Sequence, residues 1–352
     1  MGKVSKLKIL KVVKETEDAV SIHFKQPFFR KIKYTPGQFL TLLVNIDGRV
    51  ERRCYSLNSA PNVDKEVSVT VKRIKDGRVS NYLFENIKEG DKIKVLHPMG
   101  EFTLLPNPAE CRHVVLFGAG SGITPLMSIL KTVLNFEERS YVSLFYGNRD
   151  KESIIFNNDL RALKAIYPDR LNLVHILENP GDFEDCYKGR VERSQVPGLL
   201  NDLPELSTDK TLYYICGPSG MMTEAEEGLK LAGVDPKFIH IEKFSAPPPS
   251  AQEAKTSGPL LENREVTIIH KGKEHRIPVK ANRTILDSAL DHKLKLPYVC
   301  MDGICGSCKA SCESGEVYMR SGHVLSAKEV EDGVVLPCLC KPLTNNVVIK
   351  YA

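Results

Sequence analysis

The chain reads as three successive folding units: a small antiparallel β-barrel, a parallel α/β sheet, and a compact α+β unit behind a linker. Three observations predict this multidomain class. Short β-type runs crowd the first hundred residues, and strand-like runs alternate with longer helical stretches from 113 to 244. A Pro-, Ser- and Ala-rich stretch without apolar period then isolates a cysteine-rich tail. At 352 residues, 42% of them hydrophobic, the chain is long enough for roughly two or three domains with separate cores.

The barrel is expected over 1–106. Its runs "FLTLLVNI" and "EVSVTVKRI" are broken by the turn signals "TPGQ", "IDGR", "KDGR" and "KEGD", and strands so closely spaced suit a small closed sheet. The α/β unit is expected over 107–246. There "HVVLFGAG", "YVSLFYGN", "LNLVHIL" and "TLYYICGP" read as strands, with "TPLMSILKTVLNF" and "SGMMTEAEEGLKLAG" as helices between them. The linker is placed at 247–261, on "SAPPPSAQEAKTSGPL". The last unit, 262–352, opens with two strands around a "KGK" turn in "REVTIIHKGKEHRIPVK" and continues into a short helix, "TILDSALDH". No repeat recurs at a fixed period.

Composition narrows the function classes. A net charge of +5 is mild for this length, and Lys and Arg are interspersed with Asp and Glu, so nucleic acid is not an expected partner. The start, "MGKVSKLKIL", turns polar again at "KVVKETEDAV" and carries no small-residue cleavage site, so no secretory signal is expected. The longest uncharged run, "VVLFGAGSGITPLMSIL", has Gly, Ser, Thr and Pro in its middle; it reads as strand, turn and helix, without stable membrane insertion. Ten cysteines with no secretion signal point to reduced thiols in a cytoplasmic protein, and six of them lie in the last 53 residues, which points to metal.

Three ligand schemes compete for "CMDGICGSCKASC". Zinc ribbons use paired C-x2-C units, and only Cys305 and Cys308 form one. The 4Fe-4S pattern matches Cys305, Cys308 and Cys312, but its first spacing is wrong and Glu313 replaces the proline. The plant-type 2Fe-2S spacing fits Cys300, Cys305 and Cys308, with a distant fourth cysteine, Cys338, in "VVLPCLC". Gly303, Gly306 and Ser307 sit between the ligands, where small residues let backbone N–H groups turn toward an anionic cluster. Cys312 and Cys340 read as bystanders, although Cys340 shares a strand face with Cys338 and spacing alone does not choose between them.

"VVLFGAGSGITP" places a glycine-rich turn between a strand and a helix, where N–H groups can hold a pyrophosphate. The pattern is Gly118, Gly120 and Gly122 with Ser121 between them, G-x-G-x-G, equally compatible with a simple tight turn. The following strand ends in Gly147, Asn148 and Arg149. Arg149 suits a 2'-phosphate and favours NADPH, while Asp150 is the acid that an NADH site would use. A third turn, "YYICGPSGMM", puts Cys216, Gly217 and Pro218 at the carboxyl end of another strand, the edge where open α/β sheets bind ligands. In "ERRCYSLNSAP", Arg53 and Tyr55 share one strand face, a cation beside a flat ring.

With these residues in family order, the chain resembles the ferredoxin-NADP reductase superfamily, in the branch with a C-terminal plant-type ferredoxin domain of β-grasp fold. The motifs that carry the likeness are "RCYSL", "VKRIKDGRVSNYL", "GAGSGITP", "YGNR", "CGPSGMM", "HIEKF" and the four cysteines. They look most like those of the reductase subunits of phenylacetyl-CoA epoxidases, with steroid hydroxylase reductases as near relatives. The resemblance implies FAD in the barrel, with Arg53 on its phosphate, Tyr55 on its ring and Ser56 near its reactive nitrogen. Val71, Lys72, Val79 and Ser80 would line the flavin and its phosphates. Gly120, Thr124, Arg149, Cys216 and Gly217 would hold the nicotinamide nucleotide, with Cys216 near the hydride-bearing carbon, and Phe244 would lie near the flavin. FMN relatives share the "RxYS" motif, so FAD follows from the branch and not from the motif.

The domain order then reads as a path from NADPH through FAD and a 2Fe-2S cluster to an oxygenase or another metalloprotein, with positioning and electrostatics as the protein's contribution. A nucleotide-binding module with structural zinc is the alternative from another class. A di-iron epoxidase, a Rieske or steroid oxygenase and a desaturase are all acceptors compatible with the chain.

Overall fold

The computed structural model describes residues 4–27, 31–203, 210–244, 262–281 and 283–351. The linker expected at 247–261 lies outside the described residues. The chain divides into two compact units, one ending at Glu242 and one beginning at Lys243. No helix among the described residues is long and apolar enough to cross a membrane.

The N-terminal unit begins with six strands: β1 (Val4–Lys14), β2 (Ala19–Phe24), β3 (Phe39–Ile46), β4 (Arg49–Ser56), β5 (Val67–Lys72) and β6 (Lys92–Met99). All pair antiparallel in the order β4-β3-β6-β1-β2-β5. The two edges meet: Leu57, directly after β4, bridges Val69 of β5, and the Asn58 N–H donates to the Ser68 carbonyl at 3.1 Å. Closure removes the open edges that a six-stranded sheet would otherwise present. The interior is aliphatic, with Leu7, Ile22, Leu40, Leu42, Val69 and Val95 fully or almost fully buried; α1 (Arg78–Asn86) adds Val79 and Leu83 to it.

The same unit continues with a six-stranded sheet, all parallel, of β7 (Arg112–Ala119), β8 (Tyr141–Asn148), β9 (Leu171–Leu177), β10 (Cys186–Lys188), β11 (Lys210–Cys216) and β12 (Ile239–Glu242). Helices α2 (Ile123–Phe136), α3 (Asn157–Ile166), α4 (Val196–Asn201) and α5 (Ser219–Leu231) form the connections. The order β10-β9-β8-β7-β11-β12 reverses direction between β7 and β11, which creates a crevice at their carboxyl ends. The near-continuous apolar run of β7, buried from Arg112 to Gly118, is what a central parallel strand requires.

A buried ion pair ties the two sheets together. Arg112, on β7, donates to both carboxylate oxygens of Glu137 at 3.0 and 2.5 Å and to the Leu105 carbonyl at 2.9 Å, and Glu137 also accepts from the Asn107 N–H at 3.1 Å. Their side chains are 7% and 0% exposed, so the pair is desolvated and every lone pair needs a partner. Ser128 of α2 donates to the Ser59 carbonyl at 2.6 Å and Tyr214 to the Thr103 carbonyl at 3.1 Å, completing the seam.

In the C-terminal unit β13 (Arg264–His270), β14 (Lys273–Val279), β15 (Ala310–Ser314), β17 (Val334–Val335) and β19 (Val347–Lys350) form a mixed sheet, order β14-β13-β19-β15-β17. Its parallel pair is β13 with β19. A ribbon of β16 (Val317–Met319) and β18 (Cys340–Pro342) lies beside helix α6 (Ile285–Asp291), capped by Thr284, and helix α7 (Ala327–Glu331), capped by Ser326, packs against β17. The hairpin at "KGK" turns on left-handed Lys271 and Gly272.

Glu137→Ala leaves Arg112 buried and unpaired, and urea unfolding is expected to show the N-terminal unit destabilised by about 3–5 kcal/mol. Arg112→Met combined with Glu137→Leu is expected to lose less than either single change, because no uncompensated charge remains.

Candidate active site

Three glycines bring backbone to backbone at the crevice. Gly118 of β7 is in register with Cys216 of β11. A Cβ on Gly122 would overlap the Cys216 carbonyl, and one on Gly217 would overlap Met221 and approach the Ala119 N at 3.1 Å. These residues are small because the turns after β7 and β11 touch. Gly120 is left-handed (φ 51°), and its carbonyl accepts from the Tyr146 hydroxyl at 3.0 Å. Thr124, buried in the first turn of α2, donates to the Ser121 carbonyl at 3.0 Å. Neither Gly122 before α2 nor Pro218 before α5 supplies a side-chain cap; the Ile123 N–H that opens α2 donates to the Gly120 and Ser121 carbonyls of a preceding 3-10 turn.

On the barrel side Arg53, its side chain 43% exposed, lies on β4 and donates to the Arg52 carbonyl at 2.7 Å. Tyr55 packs against the barrel core; burial pushes its hydroxyl pKa up, with Arg53 opposing. Val71 and Val79 point into that core, so only their backbone is available to a ligand. Ser80 accepts from the Ile74 N–H and donates to the Gly77 carbonyl, both at 3.2 Å, which commits its hydroxyl to the turn before α1. Gly77 provides no side-chain cap, so this third helix also presents bare N–H groups. Lys72 ends β5 with its ammonium 3.6 Å from Asp18. Arg149, 65% exposed at the end of β8, stands 4.0 Å from the same carboxylate. Asp150 accepts from the Ser153 N–H at 2.9 Å and caps a 3-10 turn. Phe244, half-buried, belongs to the C-terminal unit.

Ser56, at the end of β4 and buried, donates to Glu242 Oε2 at 3.2 Å across the seam between barrel and parallel sheet. Burial pushes the Glu242 carboxyl up to about 8, against the opposing Ser56 hydrogen bond. Cys216 pairs with Glu242 in the β11–β12 register and is fully buried; burial first, and the Glu242 charge second, push its thiol well up. Ser56, Cys216 and Glu242 therefore form a cluster that is neutral at pH 7. Sequence reading singled out the first two and missed Glu242, whose only local signal is its place in "HIEKF".

In the C-terminal unit the cysteines gather in two pairs. Cys305 shares a side-chain hydrogen bond with Cys300, and Cys308 lies 3.3 Å from Cys338, sulfur to sulfur. These contacts pull the Cys305 thiol down to about 5 and that of Cys308 down as well. Among the described residues no three His, Cys, Asp or Glu side chains converge as a single metal ion would require. Two sulfur pairs could supply the donor set for two irons.

The loop fits an anionic group: the Asp302 N–H donates to Cys300 at 3.3 Å, and the Ser307 and Gly303 N–H groups donate to Cys305 and Cys338. Met301, Gly303 and Gly306 are left-handed, and a Cβ on Gly303 would overlap Leu339. Cys312 faces the Ser314 carbonyl at 3.5 Å, and Cys340 is fully buried in the core with its thiol pushed up by that burial.

Known proteins match this arrangement along its length. The family models for an oxidoreductase FAD-binding domain, an oxidoreductase NAD-binding domain and a 2Fe-2S iron-sulfur cluster binding domain match residues 6–104, 116–227 and 268–343. A subunit of the 1,2-phenylacetyl-CoA epoxidase of Escherichia coli (strain K12) is 36% identical, over 98% of this chain and 97% of its own. The ferredoxin reductase component of 3-ketosteroid-9-alpha-monooxygenase from Mycolicibacterium smegmatis is 38% identical, over 99% and 97%. Among solved structures, phthalate dioxygenase reductase, a modular structure for electron transfer from pyridine nucleotides to [2Fe-2S], is similar with a TM-score of 0.69. It is 25% identical, over 99% of this chain and 98% of that one. Likeness of this extent, running end to end in both partners of each comparison, makes the chain an oxidoreductase of the ferredoxin-NADP reductase superfamily, in the branch that joins FAD-binding, NAD-binding and 2Fe-2S domains in one polypeptide.

Proposed function

We propose that this protein takes electrons from NADPH and delivers them singly, through FAD and a 2Fe-2S cluster, to the oxygenase of a phenylacetyl-CoA epoxidation system in the cytoplasm, as part of phenylacetate catabolism. The observation that carries this reading is the 36% identity to the Escherichia coli epoxidase polypeptide along 98% of the chain. The steroid-monooxygenase reductase, at 38%, makes a steroid oxygenase the second reading. A nicotinamide supplies a hydride, a flavin splits that electron pair, and a 2Fe-2S cluster carries one electron at a time. The barrel of 1–106, the α/β unit of 107–246 and the tail of 262–352 are the proposed seats of these three groups.

The chain's own residues have positioning and electrostatic tasks. Arg53, Lys72 and the bare N–H groups of α1 form the cationic side for flavin phosphates, with Tyr55 beside them. The turns at Gly120–Gly122 and Gly217–Pro218 hold the nucleotide's pyrophosphate and nicotinamide. Arg149 is assigned to the 2'-phosphate because Asp150, the acid that would favour NADH, is committed to the Ser153 N–H. Ser56 and Cys216 would border the place of hydride transfer, and the neutral Glu242 carboxyl, which accepts from Ser56, would keep negative charge away from it. Cys300 with Cys305 and Cys308 with Cys338 hold the two irons.

Anaerobic addition of NADPH to the purified protein tests the function: flavin bleaching and a reduced-cluster paramagnetic signal are expected, and their absence rejects it in favour of a zinc-holding nucleotide module. Reduction of the purified epoxidase or steroid oxygenase by the protein separates the two acceptors.

The cysteine assignment predicts that Cys338→Ser abolishes the cluster signal while NADPH reduction of artificial two-electron acceptors continues. Cys312→Ser and Cys340→Ser are expected to change iron content little. Loss of iron in Cys312→Ser with retention in Cys338→Ser overturns the assignment.

The raised Glu242 pKa gives a pH signature. Its carboxyl is neutral below about pH 8 and becomes an anion above it, so the stability due to the neutral form is complete below the usual carboxylate range and is lost as pH rises through about 8. The NADPH-driven flavin reduction rate is expected to fall over that window, on the order of tenfold for about 1.4 kcal/mol of added repulsion. Glu242→Gln is expected to flatten both the rate profile and the loss of thermal stability between the usual carboxylate range and about pH 8.

A further inference from the structure

Between the barrel and the parallel sheet of the N-terminal unit lies a cleft of 580 Å³, lined by Thr16, Asp18, Arg73, Asn81, Arg149 and Ser153 among others. Asp18 sits in the turn that joins β1 to β2. Its Oδ1 accepts from Thr16 Oγ1 at 2.8 Å and its carbonyl accepts from the Arg73 N–H at 2.7 Å, so the residue is anchored on the barrel. Oδ2 stands 3.6 Å from Lys72 Nζ and 4.0 Å from Arg149 Nη2. Among the described residues, Asp18 is the carboxylate in ion-pair range of both cations. Lys72 Nζ in turn lies 3.6 Å from the place a Cβ on Gly120 would occupy, which puts it against the glycine turn.

We propose that Asp18 tunes nucleotide affinity and cofactor choice: its carboxylate stands beside Arg149 in the place that the 2'-phosphate takes, and yields it when the nucleotide enters. The inference rests on the assignment of Arg149 to the 2'-phosphate. Both contacts are longer than a hydrogen bond, and Asp18 is 33% exposed, so the pairing is weak and exchangeable. A phosphate dianion with three acceptor oxygens makes stronger, charge-assisted bonds to Arg149. Asp150 does not compete, since its Oδ1 is held by the Ser153 N–H at 2.9 Å. Asp18 therefore lowers affinity for phosphate-bearing nucleotides, and more for NADP+ than for NAD+, because only the former must release Arg149 from it.

The test is titration of the FAD-loaded full-length protein with NADP+ and with NAD+, followed by the flavin absorbance change at low and high ionic strength. Asp18→Asn, which can still accept from Thr16, is expected to tighten NADP+ by about twofold to fivefold, the range for an exposed ion pair. NAD+ is expected to change less, the difference to shrink at high salt, and Asp18→Glu to restore wild-type values. In an Arg149→Ala background the gain for NADP+ is expected to disappear. Weaker NADP+ binding in Asp18→Asn, or equal changes for both nucleotides, overturns the role of Asp18. If Arg149→Ala does not weaken NADP+, the 2'-phosphate assignment fails by itself and the Asp18 inference falls with it. If Arg149→Ala weakens NADP+ while Asp18→Asn leaves it unchanged, only the Asp18 inference fails.

Discussion

The buried pair of Arg112 and Glu137 fixes the geometry on which the N-terminal unit depends. Arg112 begins the central strand of the parallel sheet, and Glu137 follows the helix that starts from the glycine turn. Because both also bind the backbone of the connecting segment, at Leu105 and Asn107, the chain leaving the barrel is held against the sheet at one place. Water could not substitute for any of these bonds without solvating a pair that is almost wholly excluded from it. The seam that results brings the end of β4 to the end of β12, 186 residues later in the chain, where Ser56 meets Glu242. A flavin in the barrel and a nicotinamide in the crevice need that juxtaposition, since hydride transfer demands close and oriented approach.

Much of the crevice is built by what is missing. Gly122 and Gly217 have no side chain because the two turns touch, and the two helices that start at the crevice, like α1 on the barrel, have no capping side chain. Bare N–H groups with a helix dipole behind them attract phosphates at little cost in added charge. Lys72 and Arg149 come from different sheets and, among the described residues, share Asp18 as the carboxylate in ion-pair range of both. The cluster loop repeats the strategy on a smaller scale: left-handed Gly303 and Gly306 turn backbone donors toward sulfur.

Elements with a strong local period were legible in the sequence. The runs "FLTLLVNI", "YVSLFYGN" and "LNLVHIL" coincide with β3, β8 and β9, and "SGMMTEAEEGLKLAG" contains α5. The three-residue edge strand β10 and the four-residue β12 were not, because so short a run carries no period of its own. Turn glycines were legible as glycines, but not every reason for them was: the close approach of the Cys216 carbonyl, which leaves no room for a Cβ on Gly122, has no local signal. The roles of Glu242 and Asp18 were not legible because Ser56, and Lys72 with Arg149, lie far from them in sequence. The pairing of Cys308 with Cys338 in preference to Cys340 likewise depends on a tertiary contact, since the two candidate cysteines are only two residues apart.

The charge of the C-terminal unit bears on how electrons reach it. From Glu262 onward the chain has 13 Lys and Arg against 11 Asp and Glu, a balanced surface for a unit that holds an anionic cluster. A separate electron carrier finds its reductase by steering, and steering needs a strong field of one sign. Here the cluster-binding unit is joined to the flavin unit by the chain itself, which supplies effective concentration whatever the charges are. Selection for a strong field is thereby removed from the internal transfer, and the surface is free to be shaped by the external acceptor. The side chains nearest the cluster loop fit that division of labour. Lys309 pairs with Glu329 and Arg320 with Asp302, so charge beside the loop is compensated locally.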